Sequence, residues 1–442
     1  MKKETDVIYI HPQKRIVSQQ QKYIYLSICG LYFLLIGLFS DSLSNNIAGL
    51  NRIVTSPSNL LTDYFYLGGF GSAFINSGIL TLLAVFLAYR QKVLLNGPMF
   101  AAIMTVTGCS FFGKNLYNSI AIILGVYLYA KFVKKSFSQY IMIGLFGSAL
   151  SPVVSYVTFG MELPLLQGVV LGNLAGILIG LLLPPLSVQA LVFHQGFTLY
   201  NIGFTSGLIA MGFTGVLRLF SYSVENNTKL STDHHTELLI IMLSFFCLTV
   251  FLGVLFNNFR LKGLRDIFKT SGKLITDFIL IAGLGPTLIN MGLMGIMLVS
   301  YVLLVQGQLN GPVIGAILSA VGFSAFGNHL RNSFPILVGI TIASLFGTFY
   351  DINHTSMIVA AAFGTGLAPI SGFYGSFYGI LAGFLHIALV HNVSSLHGGL
   401  NLYNSGFSTG FVAGIMVPVL DNFTALRKEK QKFGKRDIKK NH

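Results

Sequence analysis

The sequence has no tryptophan, only three cysteines and very little charge: Asp, Glu, Lys and Arg make up 10% of its 442 residues. A soluble domain carries about a quarter charged residues, so a water-soluble globular fold is excluded. Cys29, Cys109 and Cys247 all lie in apolar segments without C-x-x-C spacing, which indicates neither a disulfide framework nor a zinc site. The phosphate-binding pattern G-x-x-x-x-G-K-[ST], a metal-spaced His/Cys set and a nucleophile elbow are also missing. ATP-driven pumping by this chain is therefore excluded, and neither a metal nor another cofactor is expected.

What the chain has instead is apolar residues, 53% of the total, with a mean hydropathy of +0.72. Runs such as Ser27–Phe39, Ile79–Ala88, Ile120–Ala130, Leu238–Leu255 and Met294–Val305 are too many to hide in one soluble core. They are uniformly apolar rather than alternating, so they predict helices and not the strands of a membrane barrel. The fold class expected is an all-α, polytopic integral membrane protein, with the lipid bilayer as its first partner.

A net charge of +14 arises from 28 Lys and Arg against 14 Asp and Glu. Those cations sit at chain ends and in loops, where they report membrane topology, so nucleic acid is not expected as a partner. The polar, basic residues 1–22 lack the short apolar core and cleavage site of a signal peptide. They are read as a cytoplasmic N-terminal segment before a retained first helix.

The chain is doubled. Residues Asn96–Gly125 recur as Asn310–Gly339, identical at 14 of 30 aligned positions. The same shift of 214 carries Thr62-Asp63 onto Thr276-Asp277, and Gly69, Gly71, Asn76 and Gly78 onto Gly283, Gly285, Asn290 and Gly292. At a shift of 203, HQGFTLYNIGFTSG (His194–Gly207) answers HGGLNLYNSGFSTG (His397–Gly410). This divides the chain into repeat 1 (23–220), a polar linker (221–235), repeat 2 (236–420) and a basic cytoplasmic tail (421–442).

Charge sets the relative orientation of the repeats. Lys and Arg cluster at Arg90/Lys92 and at Lys131/Lys134/Lys135, whereas the matching loops of repeat 2, around Gln306 and at 347–354, have none. Conversely, Arg260, Lys262, Arg265, Lys269 and Lys273 answer a loop, 41–56, that holds only Arg52. Basic loops stay cytoplasmic, so equivalent loops lie on opposite faces and the repeats have inverted topology. Each must then cross an odd number of times. Seven crossings are expected per repeat, with five plus re-entrant segments as the alternative, and both termini are placed in the cytoplasm.

Three paired blocks carry candidate chemistry. Asn96-Gly97-Pro98 and Asn310-Gly311-Pro312 have the residues of a helix start: Asn caps free N–H groups and Pro fits the first turn. Such a start is either a capped end at the surface or, deep in the membrane, a positive pole facing a solute. The His-Gly blocks offer His194, Tyr200 and Asn201, with His397, Tyr403 and Asn404. Polar side chains among glycines suit a broken or re-entrant helix around a path near the midplane, or they simply satisfy freed backbone groups. Asp63 and Asp277 are possible coupling carboxylates, or N-caps at the membrane surface. Prolines 152 and 369, each following a glycine at 147 or 364, predict kinks in two apolar helices. Gly108-x-Ser110-x-Phe112-Gly113 and its copy at 322–327 are read as close helix packing, and Lys114 beyond it as an interfacial charge.

The Asn-Gly-Pro and Leu-Tyr-Asn-x-Gly-Phe blocks resemble those of a duplicated bacterial membrane protein family of unknown function, over about Thr62 to Pro418. More loosely, the layout is similar to urea transporters, themselves inverted duplications with an Asn-Pro helix start and a Tyr/Phe-Asn segment. The matching residue types are Asn96, Pro98, Tyr200, Asn201, Asn310, Pro312, Tyr403 and Asn404. This chain departs from that family in the Gly between Asn and Pro, in the order of its blocks and in lacking Leu-Pro-Phe. The resemblances imply a multi-pass protein of a bacterial plasma membrane. The function expected is a channel or secondary transporter for a small polar solute, possible homo-oligomers included. An intramembrane enzyme is disfavoured because every candidate is symmetric; a non-transporting partner or sensor subunit is the other alternative.

Overall fold

The computed structural model describes residues 18–58, 61–222, 224, 228–347 and 351–440, with side chains described as far as 423. The basic residues of the N-terminal segment before Ser18, Glu225 of the linker and the side chains of the basic tail lie outside these. Repeat 1 holds α1 (Gln19–Ser40), α2 (Leu43–Val54), α3 (Tyr64–Gly68), α4 (Phe70–Arg90), α5 (Gly97–Cys109), α6 (Leu116–Phe132), α7 (Ile141–Gly147), α8 (Ser151–Ser155), α9 (Leu165–His194) and α10 (Asn201–Leu219). Repeat 2 answers element by element: α11 (His235–Phe256), α12 (Leu264–Lys269), α13 (Phe278–Ala282), α14 (Leu284–Leu304), α15 (Gly311–Phe323), α16 (Leu330–Phe346), α17 (Thr355–Gly364), α18 (Ala368–Tyr374), α19 (Ser376–His397) and α20 (Asn404–Lys440). Among the described residues β-pairing is confined to two isolated bridges, Thr62 with Lys229 and Asp63 with Phe112.

Ten helical stretches among the described residues are long and apolar enough to span a bilayer, five in each repeat. They are α1, α4, α7–α8, α9 and α10, and their counterparts α11, α14, α17–α18, α19 and α20. Five such stretches per repeat match the alternative of five crossings plus re-entrant segments. The Asn-Gly-Pro pair, α5 with α6, has 13 and 17 residues, about 20 and 26 Å of helix against a hydrocarbon core of about 30 Å. These are part-length helices.

Local chemistry explains the breaks. Gly69 and Gly283 hold φ of +92° and +93° between α3 and α4 and between α13 and α14. No atom would block a Cβ at either; the backbone angle is what demands glycine. The kinks predicted from Pro152 and Pro369 are present: a 3-10 turn at Ser148–Leu150 or Thr365–Leu367 leads, with no non-helical residue between, into a second half-helix with Pro in its first turn. The His-Gly blocks, expected as broken or re-entrant helices, are tight turns joining two long helices. Gln195 and Gly196, like Gly398 and Gly399, close them in the left-handed region.

Packing follows the duplication. Within each repeat α1 lies on α4 and α6 on α9, matched by α11 on α14 and α16 on α19. Across the repeats α5 packs on α15 and α10 on α20, each helix against its own equivalent. Gly97, opening α5, abuts the Ala325 carbonyl beyond the end of α15, and Gly311, opening α15, abuts that of Phe111 beyond the end of α5. The equivalent helices therefore run antiparallel, which is the inverted relation in coordinates. Small residues let them touch: a Cβ on Gly108 would stand 2.2 Å from the Gly315 carbonyl oxygen. Leucines and phenylalanines of α1, α9, α11 and α19 stay exposed on the outside, as lipid-facing helices require.

Candidate functional site

Gly203 and Gly406 meet each other, since a Cβ on Gly406 would lie 3.0 Å from Gly203 Cα. A residue that touches its own equivalent lies on the pseudo-twofold axis, and for inverted repeats that axis runs in the membrane plane. Both His-Gly blocks are thus brought together at the interface of the repeats. The four rings stand in series: His194 to Phe204 at 6.2 Å, Phe204 stacked on Phe407 at 5.7 Å, Phe407 to His397 at 4.6 Å.

Two phenylalanines therefore separate the imidazoles, and each histidine is engaged locally. His194 Nε2 donates to Asn201 Oδ1 at 3.0 Å while its Nδ1 accepts the Gly196 N–H. His397 Nδ1 stands 3.0 Å from Asn404 Oδ1. Asn201 Nδ2 then donates to the Ser187 carbonyl and Asn404 Nδ2 to that of Val390. Through different ring nitrogens, the two clamps fasten the end of one long helix to the start of the next.

Asn96 and Asn310 are N-caps whose Oδ1 atoms accept from Met99 and Val313 N–H, and Asn310 also donates to Thr355. Asp63 and Asp277 cap α3 and α13, yet both are buried rather than placed at a surface. The second carboxylate oxygen of Asp277 accepts from the Gly97 N–H of the other repeat at 3.1 Å. Asp63 engages the Gly311 N–H and takes the Ser231 N–H of the linker. The two carboxylates exchange caps between the repeats.

Sequence reasoning missed a further group. Lys114, expected at the interface, is 1% exposed, and its Nζ donates to Ser148 Oγ at the break between α7 and α8. Asn328, the equivalent of Lys114, donates to Thr365 Oγ1 at the break between α17 and α18 at 3.1 Å. The frame around these two positions is the same. Asn76 donates to the Ser110 and Lys114 carbonyls, and Asn290 to those of Ser324 and Asn328. The available signal was the pairing of a polar residue after each Gly-x-Ser-x-Phe-Gly with a hydroxyl four positions before each helix-breaking proline.

Tyr200 and Tyr403 lean into the same region. Their rings are 5.7 Å apart, and Phe323 and Phe363 flank them at 4.4 to 5.8 Å. Tyr200 Oη lies beside Thr365, and Tyr403 Oη beside Thr105, without closing a hydrogen bond of ordinary geometry. Cys109 adjoins both Lys114 and Tyr403. Buried hydroxyls normally find a partner, so this aromatic-walled polar cluster is one part of the interior with hydrogen-bonding capacity to spare.

No group of three or more His, Cys, Asp or Glu that could hold a metal occurs among the described residues. A groove of about 1280 Å3, lined by Tyr301, Leu304, Phe334, Leu345 and Asp351, lies between α14 and α16 and touches neither the histidine clamps nor the Lys114 cluster.

Fold and interior together define an all-α polytopic membrane protein built as an inverted duplication. The chain belongs to the family described as "Protein of unknown function (DUF1576)", whose model matches residues 42–219 and 256–422. Neither the curated proteins nor the solved structures yielded a match.

Proposed function

We propose that the protein is a secondary transporter that carries a small polar solute across a bacterial plasma membrane, along the interface of its two repeats. The observation that carries this reading is the pair of interrupted spans. Lys114 with Ser148, and Asn328 with Thr365, bring polar side chains from the turns between the part-length helices to the 3-10 turns of α7–α8 and α17–α18. Helices kinked by a 3-10 turn at a repeat interface suit a solute site, because the distorted turn frees backbone groups that protein or a solute must meet. The cluster is closed from both sides, with Lys114, Ser148, Asn328, Thr365, Tyr200 and Tyr403 all buried. An enclosed site favours alternating access over an open pore. Basic loops at Arg90/Lys92 and Lys131–Lys135 would face the cytoplasm.

The test is flux in proteoliposomes with a panel of small neutral and anionic solutes. Uptake above protein-free vesicles that falls at least tenfold in a Ser148→Val, Thr365→Val double variant supports the reading. Vesicles no more permeable than empty ones to every solute would overturn it.

A further inference from the structure

Position 114 breaks the symmetry that surrounds it. The Asn76 and Asn290 hydrogen bonds are the same on both sides, and so is the link to a hydroxyl at a helix break. One repeat nevertheless supplies an amine and the other an amide. The Lys114 side chain is fully enclosed, donates to Ser148, and has the Cys109 thiol as a further ionisable neighbour among the described residues. No Asp or Glu pairs with it among the described residues. An unpaired ammonium is strongly disfavoured in such surroundings, and the described residues supply no fixed counter-charge to offset this. A bound anion would supply it.

The neighbours narrow the class. Thr105, Tyr200 and Tyr403 are each about 1% exposed and keep hydroxyls without a closed hydrogen bond. Between them stand the faces and edges of Tyr200, Tyr403, Phe323 and Phe363. A charged donor at one end, hydroxyl donors beside it and aromatic walls suit a carboxylate with a short apolar body. A halide would use the cation but leave the aromatic walls without a role.

We propose that the Lys114 cluster is a binding site for a small monocarboxylate, with the Lys114 ammonium as its counter-charge and the Tyr403 and Tyr200 hydroxyls as donors. This names the substrate class of the path proposed above and rests on that reading for its consequence in transport.

Binding is measured on the purified full chain in detergent, by titration calorimetry and by the shift in melting temperature with sodium propionate, sodium chloride and urea. Saturable propionate binding, weakened at least tenfold in Lys114→Asn, is expected, with urea inert. The Asn variant copies what repeat 2 carries in the same frame, so it is chosen to fold; Tyr403→Phe, weakening propionate several-fold, gives a second readout. Propionate without effect, an undiminished affinity in both variants, or saturation by chloride alone overturns the proposal. Vesicle flux separates the two ideas. Lys114-dependent propionate binding with no flux of any solute leaves the site standing and removes transport. Flux of neutral solutes that ignores Lys114→Asn, with no propionate binding, does the reverse.

Discussion

Asp277 reaches from the second repeat to the first residue of a helix in the first, accepting the Gly97 N–H at 3.1 Å across 180 positions of sequence. Asp63 makes the reciprocal link to Gly311. Each carboxylate thereby caps two helices at once, its own and one of the opposite repeat. Removing either leaves free N–H groups in a buried place, which costs about 1–3 kcal/mol for each unsatisfied donor. Asp277→Ala and Asp63→Ala should each lower the melting temperature measured in detergent, and Asp277→Asn, which keeps an acceptor, should lower it less. Equal melting for Ala and Asn would deny the exchanged caps an energetic role.

The α5–α15 crossing makes a steric prediction. Gly108 and Gly315 each face the other's carbonyl, and an added Cβ would stand 2.2 or 2.4 Å from the oxygen. Gly108→Ala must push the two helices apart, at a cost of about 1–3 kcal/mol. Gly212, where a Cβ would meet nothing within 4 Å, serves as control. Gly108→Ala should depress the yield of folded protein by size-exclusion chromatography, while Gly212→Ala leaves it unchanged.

For the histidine clamps the expectation is pairwise coupling. His194→Ala strips Asn201 Oδ1 of its donor, and Asn201→Ala strips the histidine of its acceptor. The double variant should then be less destabilised than the sum of the singles, by about 0.5–3 kcal/mol. Additive losses in a double-mutant cycle would show the clamp to be idle.

Topology can be tested by labelling. In a chain with Cys29, Cys109 and Cys247 replaced, cysteines introduced at the exposed equivalents Lys92 and Gln306 should react with a membrane-impermeant maleimide from opposite faces. Reaction from the same face contradicts the inverted arrangement.

How far the sequence could be read depended on the range of the physics involved. Uniform apolar runs made the spans legible, and the repeated blocks together with lopsided loop charge made the inverted duplication legible. The number of crossings was not, because α5 and α6 are as apolar as true spans and differ from them only in length, which the glycines at their junction blur. Asp63 and Asp277 were recognisable as caps from Thr-Asp ahead of an apolar run. Their second partners, Gly311 and Gly97, lie in the opposite repeat and leave no local trace. Lys114 was misplaced for a related reason: a cation after a short helix usually marks an interface, and only the interruption before Pro152, brought alongside by folding, gives it a buried partner in Ser148.

The difference between Lys114 and Asn328 has a bearing on ancestry. Two identical half-length chains, paired head to tail, must present the same residue at both equivalent positions. Only after both copies are joined in one gene can mutation alter one and spare the other. An amine at position 114 facing an amide at 328 is thus a property that no symmetric dimer of its halves could possess.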